Sequence, residues 1–587
     1  MNVALSLPPV LGIALVLITT AIVGALGMRV SRTTSDFLVA SRSVRPSLNA
    51  LAICGEYLSA GTFLGLAGLV MVFGIDMLWY PVGYTAGYVA LLILVAAPLR
   101  RFGAFTIAEF AQGRLDAPRL RRLSAMFTMV IGWLYLLPQM KGAGITLASV
   151  TGLPYWVGVV VVGVVVTANV AIGGMRGITY LQAFQYVIKA FALSFATIVL
   201  IAVVSGRPAS TGIGANPTFP TDRTVKFSRE TILDVRIPTV VVARGVVNTT
   251  AIDGYTVIGP GPVELNADTS IEFTRGSPVP SVKRGAVLSG PAWEQPFKSV
   301  NSRRPHPLYL SLSIIVGTVL GTMGLPHILV RFHTNPDGPA TRRTILMVLG
   351  LLSIYYVWPP ILGVLGRRFT PDLLLTGGTD AVVILLPGRL IGGLGGELLT
   401  GLLAAGAFAA FLSTSSGLLI SVAGAISHDL TARGGFGGGV RGFRQGALIA
   451  GSVAVLIGLP SQRFAINVLV GWTFTIAASS FCPLLLLGIW WRRFSAVGAA
   501  AGMIVGGGAA SIAVLITMFR PVLGGWPGAL LDQPAAWTVP LSFATAIVVS
   551  LRTPNTVPRR VSNSLARMHT PESAMALAPP PAARTAS

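Results

Sequence analysis

The chain has 587 residues, of which 53% are hydrophobic and only 11% charged, and its formal net charge is +23. Soluble domains usually carry about twice that fraction of charge, so the composition excludes a soluble protein and indicates a polytopic membrane protein. Lys and Arg lie mostly in short loops between apolar segments rather than on one soluble module, which argues against nucleic-acid binding. Only Cys54 and Cys482 occur, both in apolar segments, so no disulfide framework is expected.

Apolar segments of about 20 residues, the length needed to cross a hydrocarbon core, recur along the chain and predict thirteen membrane-spanning helices. In chain order they lie near residues 8–28, 46–72, 77–99, 121–150, 154–173, 178–204, 307–330, 345–366, 397–427, 444–460, 463–490, 494–518 and 536–551. A further segment near 380–395 is interpreted as a span or a re-entrant segment. No Lys or Arg precedes the first span, which favours a retained helix over a cleaved signal peptide.

The loops predict the orientation of the chain in the membrane. Arginine follows every odd-numbered span, whereas the short loops 73–76 and 151–153 contain neither Lys nor Arg. The positive-inside rule therefore predicts a multi-pass protein of the cell membrane with its N-terminus outside and its C-terminus in the cytoplasm. Residues 206–305 are polar with β-branched runs and predict an extracytoplasmic insertion that is β-rich or partly disordered. Residues 552–587 predict a disordered cytoplasmic tail.

The second span is unusual because its centre carries three glycines, a carboxylate and several hydroxyls, within residues 55–65. Loosened backbone in a bilayer is tolerated only against protein or a water-filled cavity. Transporters use such interrupted helices to present carbonyl groups and helix ends to ions and substrates. This span, with Glu56 inside it, therefore predicts a binding site near the middle of the membrane.

The ninth span offers a second candidate surface. Ala410, Ser413 and Thr414 are spaced to share one helix face, where two adjacent hydroxyls could supply oxygen atoms to a hard cation. Hydroxyl side chains in membrane helices also commonly bond their own i−4 carbonyl or join helices together. That structural alternative stays open.

Two lysines lie at membrane depth, where a charge is costly and usually faces a pathway or a partner. Lys141 could attract a carboxylate substrate, take the place of an ion, or form an internal ion pair, for which Glu56 is a candidate partner. For Lys189 a structural role is favoured. No histidine stands at metal-site spacing, and no nucleophile elbow, phosphate loop or dinucleotide fingerprint occurs. The sequence therefore predicts neither an enzyme nor an organic cofactor.

Four stretches together resemble the sodium:solute symporter family, closest to its cation/acetate (monocarboxylate) branch: 52–65, 173–189, 324–342 and 427–430. The resemblance implies an all-α polytopic membrane protein with a LeuT-like five-plus-five inverted repeat and about 13 transmembrane helices. The implied units are an extra N-terminal helix and loop (1–45), a first repeat (46–205), the insertion (206–305), a second repeat (306–493), two additional helices (494–551) and the tail (552–587). Spans two and seven are the expected interrupted pair, with the second interruption around 317–324.

The resemblance also implies where an ion and a substrate bind. Carried over residue by residue, the family's conserved Na+ site consists of the carbonyl groups of Gly55, Leu58 and Ala410 and the hydroxyls of Ser413 and Thr414. The substrate, a small organic anion, is expected at the half-helix ends of the interrupted spans. Its candidate contacts are Ser59, Thr62, Gln139, Lys141, Thr318 and Thr322.

The expected function is secondary active symport that couples Na+ entry to uptake of a short-chain monocarboxylate such as acetate, propionate or pyruvate. Coupling to H+, or Na+ symport of another small solute such as proline, are the alternatives within transport. A membrane sensor, with the outer insertion as its ligand-binding domain, is the alternative from another class, but the predicted tail is too short and too disordered for a signalling module. The expected partners are the lipid bilayer and the small anion, with no nucleic acid; the sequence does not determine an oligomeric state.

Overall fold

The structure is a computed structural model. It describes residues 7–27, 44–104, 106–206, 217–227, 230–284, 287–288, 290–295, 306–430, 439–519, 523 and 525–570. Within these residues, eleven helices are long and apolar enough to cross a membrane, or twelve if one sharply bent pair is counted as a span.

The first helical half of the molecule precedes the insertion and consists, in its described part, of helices and the short turns between them. Its helices are α1 (Leu7–Gly27), α2 (Pro46–Tyr57), α3 (Leu66–Phe73), α4 (Trp79–Leu91), α5 (Ala97–Phe102), α6 (Ile107–Leu115), α7 (Pro118–Thr151) and α8 (Tyr155–Ser205). A π-helical turn, Gly61–Gly65, leads into α3, and another, Leu92–Ala96, joins α4 to α5.

Two breaks divide this half as the sequence predicts. The axis bends by 68° between Pro46–Tyr57 and Gly61–Phe73, within the second predicted span. The 51 residues of α8 would extend about 75 Å as one straight helix, more than twice the thickness of a hydrocarbon core. Its backbone leaves the helical region at Gly174 (φ 60°, ψ −179°), between the fifth and sixth predicted spans.

The insertion is a small antiparallel β-structure, a half-barrel. Its strands are β1 (Arg223–Lys226), β2 (Thr231–Val235), β3 (Thr239–Val247), β4 (Thr250–Ile258), β5 (Gly261–Leu265), β6 (Ser270–Phe273) and β7 (Ser281–Arg284). They pair in the order β1-β6-β3-β5-β2-β7, with β4 on β3. Alternate residues such as Leu233, Val241 and Ile271 face one core, as period-2 patterning requires. The predicted β-rich character is therefore confirmed.

A short segment fastens the insertion to the helical part. The indole Nε1 of Trp293, in α9 (Pro291–Glu294), donates to the carbonyl oxygen of Val70 at 2.8 Å. The guanidinium of Arg367 lies 4.7 Å from the centre of the Trp293 ring and donates to the carbonyl oxygens of Met71 and Leu288. The insertion is thereby attached to the end of α3, the second half of the bent span.

The C-terminal half is also helical in its described part. Its helices are α10 (Pro307–Met323), α11 (Pro326–Phe332), α12 (Gly338–Tyr355), α13 (Trp358–Phe369), α14 (Asp372–Thr376), α15 (Val382–Leu390), α16 (Gly393–Gly424), α17 (Val440–Gly458), α18 (Ile466–Trp490), α19 (Ala496–Gly502), α20 (Gly508–Phe519), α21 (Gly525–Asp532), α22 (Ala535–Arg552) and α23 (Val561–His569). The segment predicted near 380–395 is α15, which is too short to span. The second interruption falls at Gly324 and Leu325, between α10 and α11.

The centre of the molecule is α16, whose apolar stretch is wholly buried. It packs against α1, α2, α7, α8, α15 and α17. Small residues such as Ala404, Gly406 and Ala410 let these neighbours approach closely, as is usual between membrane helices. The two surfaces that the sequence singles out, on α2 and on α16, therefore meet at the core.

The prediction of a disordered tail is wrong for residues 553–570. After α22 the chain forms α23, whose Met568 is fully buried and accepts a hydrogen bond at its carbonyl oxygen from Arg101 Nη1 at 3.1 Å. His569 Nε2 lies 3.0 Å from the carbonyl oxygen of Ile489. The prediction rested on the composition of the whole tail, which does not reveal a short amphipathic helix of nine residues within it. Residues 571–587 lie outside the described part.

Candidate functional site

The bend in the second span leaves backbone carbonyl groups without their helical partners. Leu58 is extended (φ −77°, ψ 90°), so α2 stops one residue earlier. The amide of Ala60, which would donate to the carbonyl oxygen of Glu56 in a continuous helix, donates instead to Gln139 Oε1 of α7 at 2.9 Å. The last carbonyl groups of a helix need partners from outside it. Here the carbonyl groups of Gly55, Glu56 and Leu58 turn to side chains of other helices.

The hydroxyl pair of α16 supplies two of these partners. Ser413 Oγ lies 2.6 Å from the carbonyl oxygen of Gly55 and 3.0 Å from that of Ala410. Thr414 Oγ1 donates to the carbonyl oxygen of Glu56 at 2.6 Å. The structure thus brings together Gly55, Leu58, Ala410, Ser413 and Thr414. Ser413 and Thr414 also join α16 to α2, which is the structural use that the sequence left open.

The ammonium group of Lys189 lies among these same atoms. Lys189, on α8, has no exposed surface. Its Nζ donates to the carbonyl oxygen of Gly55 at 2.5 Å, to the carbonyl oxygen of Leu58, and to Ser413 Oγ at 3.3 Å. The oxygen atoms are of the type that a hard cation requires. They hold an ammonium group, however, and the arrangement does not fit a Na+ ion together with Lys189.

The carboxylate of Glu56 pairs with Arg331 of α11 and not with Lys189. The Arg331 Nε to Glu56 Oε2 distance is 2.6 Å, and both side chains are buried. Arg331 also donates to Thr179 Oγ1 and to Gln182 Oε1 on α8, and Gln182 in turn donates to the carbonyl oxygen of Ser413. This network connects α11, α8, α2 and α16.

Lys141 and Glu56 are not partners, so that candidate pairing is wrong. Lys141 Nζ lies 2.8 Å from Asp380 Oδ2 and also donates to the carbonyl oxygen of Phe464. Asp380 additionally accepts from the amide of Ile466 at 3.2 Å. Asp380 and Arg331 are charged partners of candidate site residues, and the sequence analysis does not predict either of them. Arg331 is one of the arginines that follow an odd-numbered predicted span, but its position inside the apolar run of α11 indicates a buried side chain.

The hydroxyl candidates for substrate contact are engaged in local hydrogen bonds. Thr62 Oγ1 donates to the carbonyl oxygen of Ser59, and Thr318 Oγ1 to that of Ile314. Thr322 Oγ1 lies 3.0 Å from Tyr57 Oη. Ser59 Oγ accepts from the amide of Gly61 at 3.2 Å and lies 3.5 Å from Tyr135 Oη.

An aromatic cluster lies beside the bend, around Tyr57. Ring centroids of Tyr57 and Tyr88 are 4.8 Å apart, those of Tyr84 and Phe474 4.9 Å, those of Tyr84 and Tyr356 6.2 Å, and those of Tyr135 and His327 5.4 Å. Among the described residues, Tyr88 Oη, Tyr356 Oη and both ring nitrogens of His327 have no hydrogen-bond partner. Buried polar atoms normally have partners, so these unpaired atoms single out the cluster as a candidate contact for a polar ligand.

The overall architecture matches that of a solved transporter. The chain superimposes on a substrate-bound, outward-open Na+-coupled sialic acid symporter with a TM-score of 0.62 and 15% sequence identity, over 92% of this chain and 98% of that one. At this identity the likeness shows the fold alone. The expected helical, LeuT-like membrane fold with a β-rich insertion is confirmed.

Two bacterial proteins are similar along nearly the whole chain. YwcA of Bacillus subtilis strain 168, described as an uncharacterized symporter, is 28% identical over 541 residues, which cover 90% of this chain and 91% of that protein. A monocarboxylic acid transporter of Corynebacterium glutamicum is 27% identical over 574 residues, which cover 92% of this chain and 91% of that protein.

A family model settles the wider assignment. The model of the sodium:solute symporter family matches residues 37–234 and 297–506, more than half of the chain. The matched stretches contain the bend in the second span, Lys189, Arg331 and the hydroxyl pair of α16. Membership in a transport family also confirms that the chain is not an enzyme. The expected resemblance is therefore correct: this chain is a solute symporter of the sodium:solute symporter family.

Proposed function

We propose that this protein takes up a short-chain monocarboxylate, such as acetate, propionate or pyruvate, together with a cation, by alternating access. The observation that carries the proposal is the group of buried polar atoms without hydrogen-bond partners in the aromatic cluster: Tyr88 Oη, Tyr356 Oη and the ring nitrogens of His327. The name of the corynebacterial relative, a monocarboxylic acid transporter, supports the same substrate class.

The chemistry of this cluster suits a small carboxylate. Hydroxyl and imidazole groups can donate hydrogen bonds to carboxylate oxygens, and such bonds to a charged acceptor are stronger than neutral ones. The surrounding rings of Tyr57, Tyr84 and Phe474 would pack against a short apolar tail. The N-terminal end of α11, at Pro326, adds a positive helix-dipole end near His327.

The earlier candidates are reassigned within this proposal. Ser59, Thr62, Thr318 and Thr322 keep the two interrupted spans in shape through local hydrogen bonds and stay candidate contacts at the edge of the cluster. Gln139 accepts a hydrogen bond from the amide of Ala60, where the helix begins again after the bend. Lys141 is not assigned to the substrate, because its ammonium group is bound to Asp380. Together the two residues bind the backbone where α18 begins, at Phe464 and Ile466.

The cotransported cation is not assigned to Gly55, Leu58, Ala410, Ser413 and Thr414, because Lys189 lies among their oxygen atoms.

The proposed orientation follows the distribution of arginine in the loops. It has residues 73–76 and the insertion outside the cell and the α23 region in the cytoplasm.

The test is transport by the purified protein in lipid vesicles. Labelled acetate uptake is followed under an inward Na+ gradient and, separately, under an inward H+ gradient, with unlabelled propionate, pyruvate and proline as competitors. We expect uptake that is lowered by the two carboxylates and not by proline. Uptake under neither gradient, or competition by proline alone, would contradict the proposal.

The assigned substrate cluster is tested in the same vesicles by removing one hydroxyl. Tyr356→Phe should raise the KM for acetate by about tenfold, the cost of one hydrogen bond to a charged group. Tyr186→Phe is the matched control, because its hydroxyl contacts the carbonyl oxygen of Leu351 and lies outside the cluster. An equal KM in the native protein and in Tyr356→Phe would reject this cluster as the substrate site.

A further inference from the structure

The ammonium group of Lys189 uses all of its hydrogen-bonding capacity at the bend. An ammonium group has three N–H donors and no acceptor. Its three partners are the carbonyl oxygens of Gly55 and Leu58 and the hydroxyl of Ser413. These are three of the five residues that the family resemblance assigns to Na+. The lysine side chain therefore makes, with its own donors, contacts that a bound ion would otherwise make.

The surroundings of Lys189 are those of a bound cation rather than of an ion pair. Glu56 is the nearby carboxylate, and it is paired with Arg331 at 2.6 Å. The other titratable group facing Lys189 from α2 is the thiol of Cys54. Within the described part of the chain, no carboxylate forms an ion pair with Lys189. Carbonyl and hydroxyl dipoles hold its charge, as they would hold a monovalent metal ion.

We propose that Lys189 is a covalently attached replacement for Na+ at this position, so that the native protein binds no Na+ there. The inference rests on the proposed function, because it concerns the ion site of the same transport cycle. A second cation among these oxygen atoms would lie at contact distance from the ammonium group, where like charges repel strongly in a buried site. Ser413 and Thr414 accordingly hold helices and a lysine together instead of an ion.

Two substitutions at Lys189 distinguish the effect of the side chain's volume from the effect of its charge. Lys189→Ala removes the ammonium group and most of the side chain, so the oxygen atoms of Gly55, Leu58 and Ser413 become available to an ion. Lys189→Met removes the charge but keeps a side chain of similar length in the same space. The proposal therefore expects a new Na+ site in the first variant and none in the second.

The experiment measures binding of radioactive Na+ to the purified, full-length protein. Lys189→Ala should bind about one more Na+ per chain than Lys189→Met, and adding Ser413→Ala to Lys189→Ala should weaken that extra binding by about tenfold or more. In the otherwise native chain, Ser413→Ala should leave Na+ binding unchanged. This last comparison does not depend on how well a variant at Lys189 folds.

Two results would overturn the inference: Na+ binding to the native chain that is lost in Ser413→Ala, or equal Na+ binding by Lys189→Ala and Lys189→Met. Acetate uptake is measured on the same native preparation. An absence of uptake would contradict the proposed function, whereas the Na+ binding comparisons test Lys189 by themselves.

Discussion

Three charged side chains, Glu56, Lys189 and Arg331, lie buried around the bend in the second span. A charge away from water is costly unless it is compensated, and these three charges are compensated in two ways. Glu56 and Arg331 neutralise each other, whereas Lys189 is held by backbone and hydroxyl oxygens. The sequence could predict that Glu56 and Lys189 need partners. It could not name them, because Glu56 and Arg331 are 275 positions apart and meet only in the folded chain.

The ion pair of Glu56 and Arg331 gives a stability prediction. Arg331→Met leaves a buried carboxylate without its counter-charge, which should destabilise the protein by about 3–5 kcal/mol. The double variant Glu56→Gln/Arg331→Met removes both charges and should recover most of that loss. Thermal unfolding of the purified variants measures both values. An Arg331→Met protein as stable as the native one would show that the pair contributes nothing.

At the scale of elements, close packing of α2 on α8 brings Lys189 to the bend. A Cβ atom at Gly55 would lie only 2.2 Å from the carbonyl oxygen of Gln182. The polar bend and the hydroxyl face of α16 could both be predicted, because each is a local pattern in one span. The position of the Lys189 ammonium could not, because it depends on the distance between two helices and on the kink at Gly174.

This close approach predicts a strong effect of a single methyl group. Gly55→Ala must separate α2 from α8, which moves the carbonyl oxygen of Gly55 away from Lys189 and should lower acetate uptake by tenfold or more, about 1.4 kcal/mol. Gly424→Ala, at the end of α16, is the control because a Cβ there meets nothing within 4 Å. Its uptake should equal that of the native protein. If the two variants transport equally well, close packing at Gly55 is not needed for transport.

At the scale of the whole molecule, the β-insertion and α23 are both attached to the helical part by specific contacts. Trp293 fastens the insertion to the end of α3, and Met568 fastens α23 near α5 and α6. The insertion could be predicted as β-rich from its alternating pattern. The docked helix α23 could not, because its sequence is polar and only the contacts of Met568 and His569 show where it binds.

The orientation of the molecule is tested by labelling single cysteines. Tyr255→Cys, on β4, lies at a side chain that is 84% exposed, and Arg560→Cys lies at an exposed position before α23. A membrane-impermeant maleimide should label Tyr255→Cys in intact cells and Arg560→Cys only after permeabilisation. The native protein is the control, since Cys54 and Cys482 are buried. Labelling of Arg560→Cys in intact cells would reverse the proposed orientation.

The attachment of Lys189 to the chain has a consequence for the electrical work of transport. An ion that is released into the cell carries its charge across the membrane in every turnover, whereas an ammonium group fixed to α8 returns with the empty protein. A carboxylate that entered alone would have to move against a negative interior, at a cost of about 2.3 kcal/mol per 100 mV. The net charge measured per turnover is therefore the charge of the carboxylate plus that of the cations bound elsewhere in the protein, and Lys189 adds nothing to it.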